Sequence, residues 1–188
     1  MTDVLATVAA RVDALARPAL VAVDGVTAAG KTTFADELVP FLAGSVTRIS
    51  LDDYHRPEAE RHARGEGPES YYHDTFDHPA LRAALQHIGD DEVAIVDGIF
   101  LLRPELTDLW SLTIFLTVNR DVALERALAR DADRMGGEDA ARSRYASRYF
   151  PGETLYLEAA DPQARADIVV DNDDPTRPRL LSPRPGAR

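Results

Sequence analysis

Short apolar runs at residues 20–23, 46–50, 93–96, 112–116 and 168–170 punctuate the chain. They are rich in β-branched side chains and unbroken rather than alternating, the pattern of parallel strands covered on both faces. Helical periodicity fills the intervals, and strand–helix alternation predicts right-handed crossovers and a helix–sheet–helix sandwich. The expected class is α/β, a three-layer α/β/α fold around a five-stranded parallel sheet.

At the N-terminus Val4, Val8, Val12 and Leu15 form a helical stripe, with Thr2 or Asp3 available as its cap. Residues 79–87 read as another helix, and 120–160 as a mostly helical, heavily charged region. The stretch 52–78 is polar and dotted with aromatics, and connections of that length inside a compact domain are usually functional. Residues 1–173 read as one domain. Beyond it Pro175, Pro178, Pro183 and Pro185, set among arginines, predict a disordered tail over 174–188.

With 188 residues the chain can bury a proper core. Thirty-two acidic against 21 basic residues give a formal charge of -11, which argues against nucleic acid or an anionic membrane as a partner. The absence of cysteine excludes a disulfide framework and a thiolate metal site. No segment approaches the roughly 20 apolar residues of a membrane span, and Arg11 and Asp13 interrupt the apolar start. The expectation is a cytoplasmic protein that binds a small molecule, with homo-oligomerisation left open.

Candidate chemistry begins directly after the first run. Gly25-Val26-Thr27-Ala28-Ala29-Gly30-Lys31-Thr32 fits G-x-x-x-x-G-K-[ST] at every fixed position, and a helical pattern follows over 33–42. A strand feeding such a loop into a helix N-terminus presents unpaired N–H groups and the positive end of the helix dipole to an anion. Gly25, Thr27, Ala28, Ala29, Gly30, Lys31, Thr32 and Thr33 are therefore the candidate nucleotide-binding residues. Lys31 would reach the β- and γ-phosphates of ATP, and the Thr32 hydroxyl would ligate Mg2+. Asp97 ends the run 93–96 and is the candidate second Mg2+ ligand, although strands also end in Asp through turn preference.

The second run leads into Leu51-Asp52-Asp53-Tyr54-His55-Arg56. Parallel strands deliver their C-terminal ends to one edge of the sheet, which would set Asp52 across from the γ-phosphate. A carboxylate there can accept a hydroxyl proton and orient the oxygen for in-line attack. Capping of the next turn is the alternative for Asp52 and the favoured reading for Asp53.

These residues together resemble the uridine kinase/phosphoribulokinase group of phosphate-loop kinases, its uridine kinase branch most of all. The loop with its doubled Thr32-Thr33, the segment 50–56, Thr75-Phe76-Asp77-His78-Pro79 and Val96-Asp97-Gly98-Ile99-Phe100 carry the likeness, with a weaker echo at 166–170. The resemblance implies a P-loop NTPase fold and Asp52 as the group that activates an acceptor hydroxyl. It also implies that Asp77 holds sugar hydroxyls, where a cap on the following helix is the equal alternative. Tyr54, His55, Arg56, Tyr71 and Tyr72 are candidates for lining the acceptor pocket. Uridine kinases read the pyrimidine with a hairpin placed between the Asp-His-Pro helix and the acidic strand. Residues 86–92 are too few to form it, so a nucleoside, a sugar and a pantothenate-like alcohol all remain candidate acceptors.

Arg126, Arg130 and Arg134 recur every four residues and so share a helix face, as they also would in a solvated helix laced with ion pairs. In the resembled kinases this position is a helical lid, here about 120–150. The resemblance makes Arg130 a catalytic candidate over the transferring phosphoryl group, with Arg126 and Arg134 beside it. A guanine-nucleotide switch fits less well: Asn119-Arg120-Asp121 is not an Asn-Lys-x-Asp reader. A nucleotide-binding module without turnover stays open. The expected activity is transfer of a γ-phosphoryl group from ATP to a small-molecule hydroxyl.

Overall fold

All five apolar runs become strands: β1 (Ala19–Gly25), β2 (Ser45–Ser50), β3 (Glu92–Asp97), β4 (Leu112–Thr117) and β5 (Ile168–Asp171). In the computed structural model, which describes residues 2–181, they lie parallel in the order β2-β3-β1-β4-β5. A further strand, β6 (Arg179–Leu181), runs antiparallel to β5 at the edge. Two expectations are corrected by it. The sheet has six strands among the described residues rather than five, and the stretch from 174 is not wholly an unstructured tail. Composition alone could not foresee this, because the exposed edge of β5 supplies the hydrogen-bonding partners, and Arg179 adds a contact to Asp171 at 2.6 Å. The rest of the predicted tail, 182–188, lies outside the described residues.

Alternation along each strand sends side chains to two separate cores. Val21, Val23, Val93, Ile95, Ile114 and Leu116 pack against Leu5, Val8 and Val12 of α1 (Thr2–Asp13) and Phe34 and Leu38 of α2 (Lys31–Leu38). Ala22, Ala94, Val96 and Phe115 face the other way. They meet Tyr72 of α4 (Pro68–Asp74), Leu81 and Leu85 of α5 (His78–Leu85), and Tyr156 of α8 (Phe150–Ala160). A third, smaller cluster belongs to the charged region. Ala127 and Leu128 of α6 (Arg120–Asp131) and Ala141 of α7 (Glu138–Arg144) pack with Tyr145 and Phe150. Residues 145–149, between α7 and α8, wind into a wide π-turn, an irregularity frequent at functional sites. No helix among the described residues is long and apolar enough to cross a membrane.

Strand register sets the site. Asp97 pairs with Val23 on one side and Ser50 on the other, so the start of the glycine loop and the turn bearing Asp52 flank it. The stretch 52–78 is not a plain loop. It holds α3 (Glu58–Ala63) and α4, and its ends are stitched by Arg56 N to Thr75 O (3.0 Å) and Asp77 N to Tyr54 O (2.8 Å). Between α5 and β3 the chain makes only a tight turn, in which Gly89 N donates to Glu92 Oε2 at 3.0 Å.

Candidate active site

The loop between β1 and α2 owes its shape to three local requirements. A Cβ at Gly25 would lie 2.4 Å from the Leu116 carbonyl oxygen, so glycine is needed there because β4 passes against it. Gly30, at φ 84°, turns the chain into α2 from the left-handed region that glycine adopts most readily. Ala28 also has positive φ, at 55°, which costs a non-glycine residue some strain and is a common mark of functional loops. Two distant side chains then clamp the loop. Asn172 Nδ2 donates to Ala29 O at 2.7 Å, and Glu153 Oε2 accepts the Thr27 N–H at 2.8 Å.

Lys31 folds back over this loop, its Nζ donating to the carbonyls of Gly25 and Val26 at 3.0 Å each. Burial pulls its pKa below the ordinary lysine range, opposed by the carboxylates of Asp24, Glu153 and Asp52 and reinforced by the Arg130 guanidinium. Asp24 is fully buried beneath the loop. It accepts from Gly25 N (2.6 Å), Leu102 N (2.9 Å) and the Tyr156 hydroxyl. Burial nonetheless pushes its pKa up to about 6.

Thr32 Oγ1 donates to Asp97 Oδ2 at 2.6 Å, while Arg48 Nη2 holds Asp97 Oδ1 at 2.8 Å and Arg48 Nε reaches Asp36 at 3.0 Å. After Asp97 a Cβ on Gly98 would approach Leu51 Cβ to 2.4 Å, so the β3 end and the Asp52 turn press together only because residue 98 is glycine. Asp52 itself is exposed and opens onto the same cleft as Thr27, Lys31, Thr32 and Asp97. His55 stands beside it, its Nδ1 donating to the Asp52 carbonyl at 2.7 Å and its ring tilted against Phe76, centroids 4.6 Å apart.

The helical region closes the cleft from the other side. Asp131, 3% exposed, gathers Arg130 (Nη2 to Oδ2, 2.9 Å), Arg134 (Nη2 to Oδ1, 3.0 Å) and the Tyr145 hydroxyl. Burial alone would raise the Asp131 pKa, but those hydrogen bonds hold it down to about 2, and they push Arg130 above the usual arginine range. The cleft has a volume of about 1030 Å³. Six cations (Lys31, Arg61, Arg130, Arg134, Arg144, Arg148) against three carboxylates (Asp52, Asp97, Asp131) line it, so a chain of formal charge -11 has a basic cleft.

Of the residues expected at the site, Thr27, Ala28, Gly30, Lys31, Thr32, Thr33, Asp52, His55, Tyr71, Asp97, Arg130 and Arg134 converge on this cleft. Gly25 and Ala29 serve the loop from beneath it. Five others are not brought there, among them Tyr72, which is buried in the second core. Arg126 instead donates to the Asn172 and Asp173 carbonyls (3.1 and 2.6 Å), because its turn of α6 lies over the end of β5. Tyr54 packs on the second core, Arg56 pairs its backbone with Thr75, and Asp77 caps α5 through Ala80 N at 3.0 Å. Sequence reasoning missed Asp24, Arg48, Glu153, Asn172, Arg61, Arg144 and Arg148. The carboxylate inside the apolar run at 24, and the i,i+4 spacing of Arg144 and Arg148, were signals for three of them. Glu153 and Asn172 carry no local signal, since their partners lie over a hundred residues away in the chain.

A mostly parallel sheet in this order, a glycine loop at the end of a central strand, an acidic neighbouring strand end and an arginine-bearing helical region match the fold of the phosphate-loop kinases. The resemblance to uridine kinases holds at the level of whole chains. A uridine kinase from Brevibacillus brevis is 25% identical over 186 residues, covering 83% of this chain and 86% of the relative. A solved structure described as a possible uridine kinase from Bacillus stearothermophilus superposes with a TM-score of 0.70 at 20% identity, covering 89% of this chain and 97% of that one. A kinase assigned to a fructose transport system in a Silicibacter species gives 0.74 at 22% identity, with 88% and 98% covered. No family model matches the chain.

Proposed function

We propose that this protein is an ATP-dependent kinase that phosphorylates a hydroxyl group of a small molecule. The observation that carries the reading is the convergence of Lys31, Thr32, Asp97, Asp52 and Arg130 on one cleft. The loop amides and Lys31 bind the triphosphate tail. Thr32 and Asp97 offer a hydroxyl and a carboxylate side by side, hard oxygen donors that suit Mg2+, which typically takes one or two protein ligands and completes its shell from phosphate and water. Bound there, the ion would neutralise phosphate charge. Asp52 orients the acceptor hydroxyl and takes its proton as the oxygen attacks the γ-phosphorus in line with the departing ADP. Arg130, held in place and charged by Asp131, stabilises the transferring group, and lid closure keeps water from competing as acceptor.

The names of the relatives put nucleosides first among acceptors to try, and the short turn at residues 86–91 argues for trying sugars and other alcohols beside them. The test is ADP release from ATP and Mg2+ with and without each acceptor. A kinase releases ADP only when its acceptor is present, whereas an ATPase or nucleotide switch is indifferent to acceptors. Asp52→Asn should lower acceptor-dependent turnover by roughly a hundred-fold or more with ATP affinity nearly unchanged. Full turnover in that variant removes Asp52 from the mechanism.

A further inference from the structure

Arg148 is the odd member of the cleft. It is only 8% exposed, yet its Nε has no hydrogen-bond partner and its guanidinium no carboxylate within salt-bridge distance among the described residues. The Tyr71 ring lies beneath it, its centroid 5.9 Å from the guanidinium carbon. Two neighbours lack carboxylates too: Arg144 Nε donates to the Tyr149 hydroxyl at 3.2 Å, and Arg61 Nε to the Arg56 carbonyl at 3.1 Å. A buried guanidinium left without an anion is costly in a folded protein, so an unpaired one lining a cleft calls for a ligand that completes it.

Resting on the kinase reading above, the geometry points to an acceptor that carries an anionic group of its own, a carboxylate or phosphate, received by Arg148 with Arg61 and Arg144. Position separates this cluster from the nucleotide. Arg130 is the guanidinium whose field acts on Lys31, and Asp131 ties it and Arg134 together. Arg61, Arg144 and Arg148, with the Asp131-bound Arg134 at their border, also line a recess of about 760 Å³ that continues from the main cleft and includes neither Arg130 nor any residue of the phosphate loop. Arg61 on α3 and the Tyr71 ring behind Arg148 belong to the insert that follows Asp52, the residue proposed to orient the acceptor. Glu58 and Glu66 also line that recess, but both reach His62, at 3.7 and 3.8 Å, rather than the arginines. A planar fork aimed at an anion favours carboxylate or phosphate in particular.

The test uses the full chain saturated with a non-hydrolysable ATP analogue and Mg2+, so that the phosphate loop is filled. Inorganic phosphate, ribose 5-phosphate and gluconate are titrated beside ribose, glucose and uridine by calorimetry. The expected result is that at least one anionic probe binds on the order of ten-fold or more tightly than its neutral counterpart. Arg148→Met abolishes that preference and Arg148→Lys restores part of it, while affinity for the ATP analogue, which also reports folding, stays unchanged. Binding of neutral uridine at least as tightly as any anion, no binding of any anion, or an Arg148→Met effect confined to the nucleotide overturns the inference. Uridine phosphorylation at a rate indifferent to Arg148 overturns it and leaves the kinase reading standing. Failure of the protein to bind the ATP analogue removes the kinase reading itself.

Discussion

At the phosphate-loop end of the cleft nearly every polar group is tied to a neighbour: Lys31 to two carbonyls, Thr27 N to Glu153, Thr32 to Asp97, Asp97 to Arg48. At the opposite end Arg61, Arg144 and Arg148 have no carboxylate partner among the described residues, and Arg148 is buried. The first end is built around one short stretch of chain at the tip of a central strand. The second is assembled from α3, α7 and the turn after it, the latter two packed on the small core around Tyr145. A preorganised end suits a part of the ligand that is always the same, the triphosphate. An uncompensated end suits the part that distinguishes one acceptor from another, because unpaired buried charge rejects ligands that lack its partner.

The contrast can be broken most forcefully at the tied end. Lys31→Ala should reduce acceptor-dependent turnover by roughly a thousand-fold, since the one cation placed inside the loop is lost. Single-turnover kinetics check this, and a loss below ten-fold would mean the arginines rather than the loop carry the phosphates. A middle effect is expected at the hinge between the two ends. Asp131→Asn releases Arg130 and Arg134, and because the carboxylate is buried, one amide nitrogen would face the donors of the arginines or of Tyr145, so stability should fall by about 1–3 kcal/mol. Turnover should fall about ten-fold as Arg130 loses its fixed orientation, read as a drop in kcat with little change in nucleotide affinity. With the Asp131 pKa lowered from 3.8 to about 2, the stability from this clasp is fully present above the unfolded value and is lost only as pH falls through about 2. The Asp131 clasp should therefore not titrate near neutral pH.

The smallest effect concerns Asp24. Burial raises its pKa from 3.8 to about 6, so the folded state holds a proton that the unfolded state has released. Its contribution favours the fold fully below the unfolded pKa and is lost as pH rises through about 6. Asp24→Asn should flatten the melting-temperature profile between those values. It should also lower the profile as a whole, because one amide nitrogen would then face the N–H and O–H donors of Gly25, Leu102 or Tyr156. Melting curves from pH 4 to 7 decide it: an unchanged slope would show that Asp24 does not titrate in this range.

Much of the fold was legible because its signals are local. An apolar β-branched run buried on both faces must lie inside a layered sheet, and all five such runs became strands. The loop 25–32 was legible from its fixed spacing, in which Gly30 sets the turn and Lys31 returns to the carbonyls of Gly25 and Val26. Arg126 misled because periodicity specifies a helix face but not what lies opposite, which proved to be the end of β5. Asp77 could be read as a cap or a ligand from its neighbours alone, and the structure makes it the cap of α5.

What the sequence determined by itself was the five parallel strands, the glycine loop and the carboxylates just after β2 and at the end of β3, all written in strand periodicity or in short spacing patterns. Tertiary structure alone decided that Glu153 would clamp Thr27, that Asp131 would gather the lid arginines with Tyr145, and that Arg148 would be buried without an anion. Those outcomes depend on side chains meeting across packed elements, and the energy of such a meeting is set by burial and by neighbours that no local pattern in the chain records.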